Sequence, residues 1–234
     1  MDPSDQNQWK KAAAEAAAKL VEDGMVIGLG TGSTASFFVA ALGKRIAEDG
    51  LRIAGIATSE QTAAQAKSLK LPLTSFAEHA QADLTVDGTD EVELGTLYLI
   101  KGHGGALLRE KIVAAASKRM VVVADETKVV EQLGSLVSVP VEVVRFGWQA
   151  TGRTLTEIGA NPSLRLGPDK KPYITDGGNY IMDCAFGPIA KPKDIAHELD
   201  HVVGAVENGL FLGFAEEVIV GGRDGVKILK KNGS

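Results

Sequence analysis

The chain has little of what would staple it, anchor it or coat it with charge. One cysteine, Cys184, stands among 234 residues, so no intramolecular disulfide is possible, and a buried thiol acting as a small hydrophobe is the simplest reading. No apolar run approaches the roughly 20 residues that a membrane-spanning helix needs. The first apolar stretch is alanine broken by Lys11, Glu15 and Lys19, so no secretory leader is expected and the cytoplasm is the expected location. Basic excess is missing too: 25 Lys and Arg against 30 Asp and Glu give a formal net charge of −5, which argues against nucleic acid and anionic membranes as partners. Any anionic ligand must meet positive charge gathered locally. Aromatics are 5% of the chain, and Trp9 and Trp148 read as packing residues rather than ligand platforms. His79 and Arg153 read as solvent-facing.

What is present is a core. At 44% hydrophobic, the chain can fill one large domain or two modest ones. Up to about residue 135, helix and strand signals alternate. Helices are expected over 6–23, 34–48, 60–69 and 106–117, and strands over 25–29, 51–57, 83–86, 97–100 and 120–124. The strands are β-branched runs without in-and-out patterning, which predicts a Rossmann-like α/β unit: a mostly parallel sheet with helices on both faces. After about Leu136 the texture changes. A strand over 137–144, a helix over 149–158, a hairpin over 172–185 turning at Asp176-Gly-Gly-Asn179, and a helix over 192–203 predict a smaller α+β, ferredoxin-like domain. Two strands over 217–229 are expected to return to the first sheet. The division predicted is 1–135 for catalysis, completed by 211–234, and 136–210 for the small domain, a candidate oligomerisation unit.

Three segments carry chemistry. Gly28-Leu-Gly-Thr-Gly-Ser-Thr34 follows a strand and opens a helix, where backbone N–H groups and the helix dipole favour an anion. Thr31, Ser33 and Thr34 add hydroxyls, which suits a phosphate; a dinucleotide fingerprint fits less well because Ser33 stands where glycine is needed. The alternative is a glycine turn with an ordinary hydroxyl cap. Asp87-Gly-Thr-Asp-Glu91 follows another strand, at the carboxyl end where parallel sheets bind ligands, although Asp-Gly is also common turn chemistry. Lys101-Gly-His-Gly-Gly-Ala106 sits at a third strand end, its glycines allowing close backbone approach beside a compact cation. Glu110 follows on a helix, flanked at three and four residues by Ala106, Leu107, Val113 and Ala114. A carboxylate on that face is partly desolvated, its pKa raised into the range of a general base. The alternative is a charged helix edge of Arg109, Glu110 and Lys111 with local ion pairs.

In this order and spacing the three segments resemble ribose-5-phosphate isomerase of the A type. The likeness extends to Lys10-Lys11, Ala124-Asp-Glu-Thr-Lys128, Thr175-Asp-Gly-Gly-Asn179 and Val206-Glu-Asn-Gly-Leu-Phe211. The resemblance implies interconversion of ribose 5-phosphate and ribulose 5-phosphate through an enediolate, with no metal and no organic cofactor. It implies Glu110 as the proton-transfer base, Lys101 and the loop amides of Gly102, His103 and Gly104 as oxyanion stabilisers, and Asp87, Gly88, Thr89 and Asp90 around the sugar hydroxyls. Asp87 would also assist ring opening or proton shuttling. Thr31, Gly32, Ser33 and Thr34 would hold the phosphate, Lys128 would touch substrate, and Lys10 would be a further phosphate partner. His103 departs from a loop usually built of smaller residues, and its ring is read as pointing outward, with a substrate contact as the alternative. Family members commonly form homodimers or homotetramers.

A rival reading comes from another class. His197-Glu-Leu-Asp-His201 is a literal zinc-protease motif, with Gly204 and Glu207 extending it. Against it, no methionine follows Met182 to make the turn of the longer pattern. Ile195, Leu199, Val202 and Val206 also form an apolar stripe that leaves the histidines on a solvated face. A sugar-phosphate-sensing module is a third reading; the chain shows no appended DNA-binding segment and keeps Glu110, which binding alone would not require.

Overall fold

The computed structural model describes residues 3–232. In chain order the elements are α1 (Pro3–Ala18), β1 (Val26–Leu29), α2 (Ser33–Asp49), β2 (Ala54–Ala57), α3 (Glu60–Ser68), β3 (Leu84–Gly88), β4 (Glu91–Glu93), β5 (Leu99–Ile100), α4 (Leu107–Ala115) and β6 (Met120–Asp125). A 3-10 turn (Glu126–Lys128), β7 (Val129–Val130), β8 (Val139–Val143), α5 (Trp148–Glu157), β9 (Asn161–Leu164) and β10 (Tyr180–Ala185) follow. The chain then runs through α6 (Pro192–Asp200), β11 (Ala205–Asn208), β12 (Leu210–Phe211), β13 (Ala215–Gly222) and β14 (Gly225–Lys230).

Six strands form the main sheet in the order β14-β13-β6-β3-β1-β2, parallel throughout except for β14. The expected return of the last two strands therefore occurs. Alternate residues of β6 separate two cores: Val121 and Val123 pack with α1 and α2, through Ala14, Phe38 and Leu42, whereas Met120, Val122 and Ala124 face Leu99, Ala114 and Phe211. Burial on both faces is why β6 reads as a continuous apolar run. Local chemistry sets the helix ends. Ser59 accepts the Thr62 N–H at the start of α3, and Gly50, at φ 70°, closes α2 with its N–H on Arg45 O. α1 crosses β13 so closely that a Cβ on Gly221 would lie 2.0 Å from the Trp9 carbonyl oxygen.

The second face differs from expectation. α4 covers part of it, and the remainder is covered by a small four-stranded sheet, β12-β5-β4-β7. These strands are two or three residues long; β5 lies within the strand expected over 97–100, and the other three are too short to leave a periodic signal.

A third sheet has the order β11-β8-β10-β9 with α5 and α6, the β-α-β-β-α-β succession of a ferredoxin-like unit. Cys184 is fully buried in its core. The expected hairpin over 172–185 is displaced. β10 pairs with β9, Met182 opposite Leu164, and Thr175–Asn179 contributes a turn closed by Gly178 N–H to Thr175 O at 2.8 Å. Pro162 hid β9 from the sequence reading, and an edge strand is where a proline is tolerated.

Candidate active site

From β1 the chain moves to β2 on one side, and β3 then pairs with β1 on the other. The crevice between diverging loops at such a reversal is where α/β sheets take ligands. Here it brings residues 30–34 against residues 87–90. The approach depends on Gly30, where a Cβ would lie 2.2 Å from Asp87 Oδ1 and 2.5 Å from its Cα.

At the base of the crevice lie three charged groups out of water. Asp87, Lys101 and Glu110 are 0%, 2% and 2% exposed. Lys101 Nζ donates to Gly88 O at 2.7 Å and stands 3.1 Å from Asp87 Oδ2 and 3.3 Å from Glu110 Oε2. The ammonium attracts both carboxylates at these distances, while its best-aligned hydrogen bond goes to Gly88 O. Asp87 Oδ1 accepts the N–H groups of Thr31 at 3.1 Å and Gly88 at 2.7 Å. Burial pushes Glu110 up to about 8; Asp87 adds to the rise and Lys101 opposes it. Asp87 also rises, through burial, against the pull of Lys101. For Lys101, burial favours the neutral amine, but Asp87, Glu110 and Asp90 together outweigh it and hold the ammonium above its ordinary value.

The helix-edge alternative for Glu110 does not describe α4. Arg109 reaches Glu60 at 2.8 Å and Asp176 at 3.5 Å, and Lys111 reaches Glu207 at 2.7 Å. Glu110 is turned inward, as its apolar neighbours at three and four residues predict.

One pocket is bordered by Lys10, Thr31, Gly32, Ser33, Thr34, Gly88, Thr89, Asp90, Lys101, Gly102, Gly104, Glu110 and Lys128. Of the residues that the family resemblance places in the site, Asp87 and His103 do not border it. Asp87 lies beneath its floor. The His103 ring turns to Ser138 O at 3.1 Å while its backbone N–H donates to Asp90 Oδ2 at 3.0 Å. Two hydroxyls are already engaged. Thr31 Oγ1 sits in a buried cluster with Thr58 Oγ1 at 2.7 Å, Ser59 Oγ at 2.8 Å and Thr62 Oγ1 at 3.2 Å, and Thr89 Oγ1 donates to the carbonyls of Glu91 and Ile100. The phosphate-type donors left at the start of α2 are its backbone N–H groups and the hydroxyls of Ser33 and Thr34. Lys10 and Lys128 arrive from α1 and the 3-10 turn, which Gln6 ties together by bonding both Asp125 (3.3 Å) and Thr127 Oγ1 (3.2 Å).

Sequence reasoning missed several supports. Glu91 is not a pocket acid: it is fully buried and accepts the N–H groups of Gly134 (2.6 Å), Leu136 and Val137 (2.9 Å). Arg165 and Tyr173, from the connection between β9 and β10, lie against the loop after Lys101, with Arg165 Nη1 on Gly102 O at 2.8 Å and its Nε on Asp183 of β10 at 2.9 Å. No local motif announces them. His197 and His201 are exposed on α6 and at its end, and His201 Nδ1 bonds His197 O at 2.7 Å.

A doubly wound α/β enzyme, with a carboxylate buried beside a lysine and cations at the pocket rim, is the class that this fold and pocket define. The family model for ribose 5-phosphate isomerase A (phosphoriboisomerase A) matches residues 54–225. Ribose-5-phosphate isomerase A of Gloeobacter violaceus is 55% identical over 220 residues, 94% of this chain and 95% of that one. The structure of ribose 5-phosphate isomerase A from Methanocaldococcus jannaschii matches with a TM-score of 0.91 at 44% identity, over 95% of this chain and 98% of that one. A D-ribose-5-phosphate isomerase in complex with phospho-erythronic acid matches equally, TM-score 0.91 at 42% identity, over 95% and 97%. The chain belongs to the ribose 5-phosphate isomerase A family.

The position of Glu110 has a consequence for stability. A carboxyl with an ordinary value of 4.5 that rises to about 8 on folding binds its proton more tightly in the folded state. Its contribution is fully present below 4.5 and is lost as pH climbs through about 8. Denaturant unfolding at a series of pH values should show wild type losing stability relative to Glu110→Gln across that window. A constant difference between the two would contradict the raised value.

Proposed function

We propose that the chain interconverts D-ribose 5-phosphate and D-ribulose 5-phosphate, a step of the non-oxidative pentose phosphate pathway, with Glu110 as the base. The observation that carries this is a buried carboxylate 3.3 Å from a buried ammonium at the edge of a pocket whose rim holds two more lysines. In the open-chain aldose, Glu110 takes the proton from C2. The C2–H electrons form the C1–C2 double bond and the C1 carbonyl electrons move to O1, giving an enediolate. Lys101 and the loop amides receive that charge, the kind of preorganised electrostatic stabilisation that often contributes most in such reactions. Glu110 then delivers its proton to C1, while the proton on O2 passes to O1.

Asp90, at the pocket wall, supports a role in holding sugar hydroxyls. Asp87, whose Oδ2 lies beneath the floor 3.1 Å from Lys101 Nζ, would assist ring opening or the O2-to-O1 transfer. The α2 start, Lys10 and Lys128 would hold the phosphate. No organic cofactor or metal enters this scheme. The carbon acid is activated by charge already in the protein.

We also propose the division into a catalytic unit (1–135 with 211–234) and a small unit (136–210), and a homodimer or homotetramer built through the latter. Supporting this, Phe146 (95% exposed) and Val203 (90%) stand with Val144 and Val206 at one end of the third sheet, where Val144 N–H meets Gly204 O. The expected setting is the cytoplasm; among the described residues no helix is long and apolar enough to cross a membrane.

Assay of ribose 5-phosphate conversion without added metal tests the chemistry. Glu110→Gln should lower kcat by roughly 10²–10⁴-fold while sugar-phosphate binding changes far less, and near-normal turnover would remove Glu110 from the role of base. Sedimentation tests the assembly. Phe146→Asp should yield a smaller species than wild type, and an unchanged mass would exclude this face as the interface.

A further inference from the structure

On the isomerase reading the loop from Gly102 to Gly105 presents a peptide N–H to the oxyanion, yet its one internal backbone bond, Gly105 N–H to Gly102 O at 3.0 Å, leaves the His103 carbonyl and the Gly104 N–H unaimed. Gly102 and Gly105 hold φ of +106° and +82°, a region open to glycine and compatible with several peptide orientations. The remaining constraint comes from the edge of the third sheet. Arg165, directly after β9, donates Nη1 to Gly102 O at 2.8 Å and to His103 O at 3.2 Å. Its Nε donates to Asp183 Oδ2 at 2.9 Å and its Nη2 to Asp183 Oδ1. Asp183 is locked in mid-sheet, opposite Ser163 on one side and Pro140 on the other. Tyr173, whose N–H donates to Arg165 O at 2.9 Å, lays its hydroxyl where a Cβ on Gly105 would be, 2.2 Å away.

In a planar trans peptide the C=O and the following N–H point in opposite directions. Anchoring Gly102 O on Arg165 turns the His103 N–H away, onto Asp90 Oδ2 at 3.0 Å. Anchoring His103 O turns the Gly104 N–H away from Arg165 in the same manner. Gly104 borders the pocket, and its N–H meets no acceptor among the described residues. A guanidinium behind both carbonyls also polarises these peptides so that their N–H ends become better donors.

We propose that Arg165, held by Asp183, is a positioning residue for the isomerisation: it aims the Gly104 N–H at the oxygen that gains charge and fixes Asp90 through the His103 N–H. The inference rests on the isomerase reading above and gives the third sheet a direct part in the chemistry. A lysine would not substitute, because one planar fork must grip a carboxylate and two carbonyls at once.

The test compares wild type with Arg165→Met, Arg165→Lys and Asp183→Asn. Three quantities are read: kcat for ribose 5-phosphate, competitive inhibition by phospho-erythronic acid, whose carboxylate places charge near the aimed N–H, and inhibition by inorganic phosphate, which reads only the phosphate rim. Expected are a fall in kcat of about 10–100-fold, below the 10²–10³ typical of deleting an oxyanion donor outright, and parallel weakening of phospho-erythronic acid. Phosphate inhibition should stay within about twofold, and Arg165→Lys should not restore kcat. Should Arg165→Met fail to fold, Asp183→Asn, which keeps the side-chain shape and releases the fork, decides. Wild-type kcat in Asp183→Asn, or equal weakening of both inhibitors in the variants that fold, would overturn the proposal. An inactive wild type would instead overturn the isomerase reading, whereas an active wild type with unaffected variants overturns only the role of Arg165.

Discussion

One ammonium shared by two carboxylates in a dry site is the constraint on which the rest depends. Moving any of the three charges from water costs several kcal/mol, and a single cation does not fully compensate two anions. The set relieves itself by keeping a proton on the carboxylate pair, and Glu110, lacking the two backbone N–H donors that Asp87 has, is the better holder of it. The two carboxyls titrate as a pair, so the proton belongs to the cluster as well as to one residue. The burial that makes the cluster costly also makes the glutamate, in the fraction that is ionised near neutrality, a stronger base than an exposed carboxylate, and it is that ionised form which takes the C2 proton in the proposed scheme.

The scaffold reads as the means of keeping that cluster dry and in register. Gly30 admits Asp87 between β1 and β3, and the Lys101 N–H is pinned to Gly209 O at 2.9 Å, with a Cβ on Gly209 excluded by Lys101 O at 2.3 Å. Glu91, one residue from Asp90, clasps the 134–137 segment that leads into the third sheet. The proposed phosphate rim comes from other elements, α1, the start of α2 and the 3-10 turn, and meets the trio where Thr31 N–H donates to Asp87 Oδ1 at 3.1 Å. On the proposed reading, binding and proton transfer fall on different pieces of the chain.

Much of this was legible in the sequence for identifiable reasons. Parallel strands buried on both faces announce themselves as apolar runs, and glycines at strand ends mark the loops between which a ligand fits. The apolar neighbours of Glu110 foretold its burial. What stayed hidden was mostly long-range. Nothing near Glu91 separates a pocket acid from a clasp for backbone amides about 45 residues on, and that partner is supplied only by the fold. Thr31 and Thr89 look like free donors until their neighbours Ser59 and Ile100 are in place. Pro162 disguised an edge strand, and in the β12-β5-β4-β7 sheet every piece but β5 was too short to carry a period. Arg165 looks like any charged residue after a strand until it is seen gripping the carbonyls of the Gly102 loop.

The central claim is that burial in the Asp87–Lys101–Glu110 cluster keeps a proton on a carboxyl at neutral pH. Infrared difference spectroscopy of the carboxyl C=O band over a pH series measures this directly. The account predicts a protonated-carboxyl band in wild type that persists at neutrality, fades near pH 8, and is missing in Glu110→Gln. A band that disappears near the ordinary glutamate value of 4.5, or that survives unchanged in Glu110→Gln, would contradict it.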